Sequence, residues 1–83
     1  MVTIKNRLEE LLVDAAILSG AQKLQAITQI RNYLQQTPCN ILNEQLAQIE
    51  NPVLLRVLQA AGVPACLQAR FYVQLNKALK LGV

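Results

Sequence analysis

Five carboxylates, Glu9, Glu10, Asp14, Glu44 and Glu50, are the first residues to weigh, because paired acids can move protons or hold a cation. Glu10 and Asp14 stand one helical turn apart, on an outward arc near the start of an expected helix. Acids placed there complement the positive end of the helix dipole, which is their simplest role. Histidine is absent, so the commonest general base and metal ligand is missing. Ser19 has no imidazole to activate it, and the glycines at 20, 62 and 82 are too scattered for a phosphate-cradling loop. No catalytic, cofactor or metal set emerges. The chain is expected not to be an enzyme.

Cys39 and Cys66 are the remaining reactive groups. They form no C-x-x-C pair, and two isolated thiols fall short of the four ligands of a zinc site. The expected state is two reduced cysteines packed as small hydrophobes. A single intramolecular disulfide and a reactive thiol are the alternatives, the latter without a base nearby in the sequence.

Charge is distributed unevenly. Eight cations and five acids give a formal net charge of +3, yet every acid precedes Asn51. Beyond that point stand Arg56, Arg70, Lys77 and Lys80 with no acid. On a helical wheel Arg70, Lys77 and Lys80 point in neighbouring directions, as a ridge contacting phosphates requires. The two lysines also occupy the last turns, where cations suit the helix dipole.

The elements that must carry these residues are helical. Of 83 residues 53% are apolar, 4% aromatic and 16% charged, an apolar-rich and charge-poor balance that excludes intrinsic disorder. A chain of this length makes one domain, 1–83, and buries roughly 60–65% of its unfolded surface. No strand-like alternation persists, whereas helical spacing recurs throughout. The first helix is expected to open after Thr3, with Ile4, Leu8, Leu11, Leu12, Ala15 and Leu18 on one face. Ser19 and Gln22 have capping-box spacing, with Gly20 as a stop, and a second helix follows to about Gln36 with Leu24, Ile27, Ile30 and Leu34 inward.

Pro38, Pro52 and Pro64 each read as a helix start. They predict a third helix ending near Ile49, a fourth over 52–61 stopped by Gly62, and a fifth from Pro64 to about Leu81. The fourth helix is apolar nearly all round, with Arg56 and Gln59 its polar side chains, so it should be central. The fold class is therefore all-α: a compact single-domain bundle of about five helices, with a short buried central helix and two longer terminal ones. Ten glutamines (22, 25, 29, 35, 36, 45, 48, 59, 68 and 74) and six asparagines are read as a polar, nearly uncharged solvent face.

Both terminal helices carry a second apolar stripe, Val13 and Ile17 on the first and Cys66, Ala69, Tyr72 and Val73 on the fifth. A small monomer buries one face of a peripheral helix, so these six residues are the candidate self-interface of a homodimer or higher homo-oligomer.

The stretch LLRVLQAAGVPACLQARFYVQL, within about 53–75, resembles a helix-turn-helix unit. Ala61-Gly62-Val63 match the turn, Val57 an inward apolar position and Phe71 a core position of the second helix. The resemblance implies a DNA-binding regulator in which Arg56, Arg70, Lys77 and Lys80 are the candidate nucleic-acid contacts. Leu58 stands where the family usually has a small residue, and Gln68 where it has an aliphatic one.

A membrane span is not expected, since uncharged apolar runs fall short of about 20 residues. The acids of MVTIKNRLEELLVD sit where a signal peptide would need its apolar run, which favours a cytoplasmic location. The leading expectation is a small protein–protein interaction or structural module that self-associates and needs no cofactor.

Overall fold

The local chemistry of helix ends sets where each element begins. In the computed structural model, which describes residues 4–81, α1 spans Arg7–Ile17 and takes Asn6 as its N-cap. Thr3, the expected cap, lies outside the described residues, but residues 4–6 are not helical, so α1 opens three residues later than its spacing predicts. Asn6 Oδ1 accepts the Glu9 N–H at 2.8 Å, and Glu9 Oε1 reaches back to the Lys5 N–H at 3.1 Å. Two orphan donors are thereby satisfied, and Glu9 is buried in the process. Asn6 Nδ2 also donates to Gln45 O and Gln48 Oε1, at 3.1 and 2.7 Å, which ties the start of α1 to the end of α3 (Cys39–Ala47).

The helix α2 spans Gly20–Gln36. Its cap residue Ser19 makes no side-chain bond, so the expected capping box does not form. Gly20 instead opens the helix with φ +61°, a left-handed conformation that turns the chain sharply after α1. Pro52 is the first residue of α4 (Pro52–Ala61), as expected, and Asn51 Oδ1 accepts the Val53 N–H at 2.9 Å. Pro38 and Pro64 instead stand one residue ahead of their helices, as caps with extended backbone. Gly62, at φ +100°, ends α4. Beyond Pro64 the chain makes a single 3-10 turn, Ala65–Leu67, before α5 (Gln68–Leu81).

Helices α1 and α4 pack against each other. Helix α2 packs across both, while α3 lies against α1 and α5, and α5 closes against α4. Helix α4 buries Leu54, Leu55, Val57, Leu58 and Ala61, as expected of a central helix. Val53 and Ala60, however, are exposed beside Arg56 and Gln59, so one of its sides faces solvent despite being largely apolar. Both terminal helices exceed it in length, at 11 and 14 residues against 10. The radius of gyration of 11.9 Å matches the value of about 11.8 Å expected for one compact domain of this length.

Three inward assignments shift. Ile4 lies ahead of α1 and is exposed. Leu24 is 68% exposed because α2 meets its neighbours along Ala26, Ile30 and Leu34, an arc that leaves Leu24 beyond the α4 side. Spacing on the fifth helix places Leu67, Phe71, Leu75, Ala78 and Leu79 inward, but Leu79 is exposed, while Gln74 joins Phe71 and Ala78 on the inner face at 2% exposure. Gln74 is thus no part of the solvent face. Its Nε2 donates to Ala47 O and Ile49 O, at 3.2 and 2.8 Å, and so serves carbonyls that the end of α3 leaves open.

The cysteines are not two reduced thiols. Cys39 and Cys66 form a disulfide with a Cα–Cα distance of 6.5 Å. Both follow proline helix starts, and packing the start of α3 against the 3-10 turn brings them together across 27 residues. Closing a loop of that length removes about 3.5 kcal/mol of unfolded-state entropy in the chain-entropy picture.

Candidate interaction surfaces

Helix α5 presents its core face through Phe71, Gln74 and Ala78, continuing Leu67 of the 3-10 turn. Spacing of three and four residues places Ala69, Tyr72, Val73, Lys77 and Lys80 on the other side. There Tyr72 is 57% and Val73 48% exposed, and Ala69 is open as well. The Tyr72 ring meets that of Phe71 edge-on at 5.6 Å, which anchors its base while its outer surface stays free. Arg70 and Lys77 flank Val73 three residues before and four after, and both are exposed.

The six residues of the expected self-interface do not form one patch. Val13 is half-buried against the core. Ile17, at the end of α1, is 76% exposed. With Asp14, Leu18, Gln22 and Gln25 it lines a groove of about 420 Å³ between α1 and α2. Cys66, Ala69, Tyr72 and Val73 belong to the 3-10 turn and α5, which pack on α3 and α4. Cys66 is exposed as a residue, but its sulfur is bonded to Cys39.

The four cations separate in the same way. Arg70, Lys77 and Lys80 share the outer side of α5, all exposed and without an ion pair among the described residues. Arg56 lies elsewhere, lining a groove of about 280 Å³ between α2 and α4 with Lys23, Ile27, Val53 and Val57. The only ion pair among the described residues is Arg7–Glu10 at 2.7 Å, on an exposed arc where it contributes little.

Along the stretch that resembles a helix-turn-helix, Val57 and Phe71 are buried as the resemblance requires. Leu58 is fully buried where a small residue is usual, and Gln68 is exposed where an aliphatic should be inward. Leu67, one position earlier, fills the core instead. A 3-10 turn separates Gly62 from α5, and the disulfide ties that turn to α3.

Among the described residues no group of three or more His, Cys, Asp or Glu is placed to hold a metal, and no helix is long and apolar enough to cross a membrane. The sequence reading missed the polar side chains that hold element to element. Gln74 falls in the spacing Leu67, Phe71, Gln74, Ala78, which alone marks it as inward. Arg31 carries no such signal, yet its Nε donates to Ala61 O at 3.0 Å and satisfies the end of α4. The chain matches no model of a known protein family, no curated protein and no solved structure.

Proposed function

We propose that this chain is a small helical interaction module that self-associates through the outer side of α5, with Ala69, Tyr72 and Val73 at the contact. The observation that supports it is the exposure of Tyr72 and Val73 on a helix whose other face is already committed to the core. A two-fold contact presents the same patch from both copies, so this one surface is enough for a closed dimer. Ala69 allows close approach of two helices, and Tyr72 and Val73 supply apolar area.

The flanking charge makes the proposal specific. Closing the contact brings Arg70 and Lys77 of both copies together, so added salt should tighten it by screening like charges. The test is solution mass by light scattering at several protein and salt concentrations. The mass is expected to rise above the 9.2 kDa of one chain, more so in high salt. Val73→Lys should give a folded monomer. A wild type that stays monomeric at about 100 μM, on the affinity scale of weak complexes, or a variant that keeps the wild-type mass, overturns the proposal.

A second reading rests on Arg70, Lys77 and Lys80, three exposed cations on one side of a helix with no acid paired to them among the described residues. In that reading they contact nucleic-acid phosphates without reading sequence. Salt separates the two readings, since phosphate contacts weaken as salt rises.

A further inference from the structure

We infer that Cys66 is a site of S-thiolation: a small anionic thiol attacks the Cys39–Cys66 disulfide at Cys66, and Cys39 departs as the stabilised thiolate. Exchange at a disulfide needs access to one sulfur and a good leaving group at the other. The two cysteines differ in setting: as residues, Cys66 is exposed in the 3-10 turn, whereas Cys39 is half-buried at the first residue of α3.

The start of α3 has neither a side-chain cap, since Pro38 occupies that position, nor an acid of its own at its positive end. Pro38 O accepts the Ile41 and Leu42 N–H groups, both at 3.1 Å, but this does nothing for the dipole at the front of the helix. A thiolate on Cys39 supplies the missing negative charge. Independently, Asn43 Nδ2 donates to Cys39 O at 3.0 Å and to Cys39 Sγ at 3.6 Å. The Asn43 amide nitrogen therefore already stands within hydrogen-bond reach of the sulfur on which charge develops. Cys66 has no hydrogen-bond donor at its sulfur among the described residues, and the turn that carries it is three residues long.

The step balances without another reagent. The incoming thiol gives its proton to water, and its sulfur forms a new S–S bond to Cys66 Sγ. The Cys39–Cys66 bond breaks, and its electron pair remains on Cys39 Sγ. The incoming sulfur is oxidised and that of Cys39 reduced. Return attack by Cys39 on Cys66 expels the small thiol and restores the bond. The thiol class follows from charge: Arg70 stands four residues after Cys66, exposed and without an ion pair among the described residues, and no acid occurs from Asn51 onward. A thiol bearing carboxylates, such as the tripeptide glutathione, is favoured over a neutral or cationic one. In a reducing compartment such exchange sets the state of this bond, whereas in an oxidising one the bond persists.

The test treats the whole chain with millimolar glutathione near neutral pH, stops the reaction with acid at early times, alkylates free thiols and maps both cysteines by peptide mass. Glutathione is expected on Cys66 and the alkyl group on Cys39, in a ratio of about tenfold or more. Thiolate absorbance on single variants supplies a second readout: the Cys39 thiol in Cys66→Ser should titrate below the Cys66 thiol in Cys39→Ser. Asn43→Leu should slow the first step about threefold, the effect of roughly one pKa unit on a thiol leaving group. Arg70→Ala should slow glutathione severalfold while leaving 2-mercaptoethanol unchanged. Adducts on Cys39, equal adducts on both cysteines, no adduct at either, or an inverted order of thiol titration overturns the proposal.

Discussion

Replacing Gln74 by leucine and by glutamate probes the one buried polar side chain that bridges α5 and α3. Gln74 is 2% exposed, and its amide donates at 2.8 Å to Ile49 O and at 3.2 Å to Ala47 O. Gln74→Leu keeps the approximate volume but removes both donors. An unsatisfied buried group, here the Ile49 carbonyl, costs about 1–3 kcal/mol, and the part-buried Ala47 carbonyl costs less. Burying a leucine offsets this by about 1.5–3 kcal/mol, and the middle of these ranges gives a net loss of about 1–2 kcal/mol. Gln74→Glu should be worse near pH 7, because an ionised carboxylate would face two carbonyl oxygens in a dry site. The cost of burying that charge raises the folded-state pKa of the new carboxyl above its unfolded value of about 4.3.

The sign follows from linkage: between those two pKa values the folded state binds more protons than the unfolded one, so stability falls as pH rises through that window. Below about pH 4 both states carry the neutral acid, and the penalty shrinks to that of a lost bond, since a protonated carboxyl can donate one hydrogen bond. Urea unfolding of wild type and both variants across pH 4 to 8 measures these differences as changes in midpoint at constant slope. The reasoning fails if Gln74→Leu is neutral, or if the gap between Gln74→Glu and wild type does not widen with pH.

Leu58→Ala should destabilise by about 2–5 kcal/mol, because Leu58 is fully buried on the central helix, while Val53→Ala on its exposed side should change little; equal effects in urea unfolding would refute a central α4. Arg31→Met keeps the aliphatic stem but removes the donor to Ala61 O, with an expected loss of about 1 kcal/mol in the same assay. If Arg70, Lys77 and Lys80 contact phosphates, Arg70→Ala with Lys77→Ala should weaken retention on duplex DNA severalfold and reduce the salt slope by about two. Wild-type protein that is not retained at low salt excludes that role.

Much of the architecture is legible in particular residues. The 3.6-residue recurrence of Leu8, Leu11, Leu12 and Ala15, and the nearly all-apolar run from Pro52 to Ala61, dictate helices and their inner faces. Pro52 and Gly62 bound α4 because their backbone preferences are local and need no partner. What only the tertiary structure decided depends on neighbours. Leu24 is apolar and suitably spaced, yet it stays outside because α1 and α4 meet α2 along a narrower arc. Gln74 is polar, yet it is buried because α3 ends opposite it with open carbonyls. Cys39 and Cys66 are bonded because α3 begins against the 3-10 turn, a juxtaposition of residues 27 apart that no spacing rule encodes. The cations divide between α5 and the α2–α4 groove for the same reason. Periodicity fixes a helix and its face, but not which neighbour meets that face, since that is settled by the packing of all five helices at once.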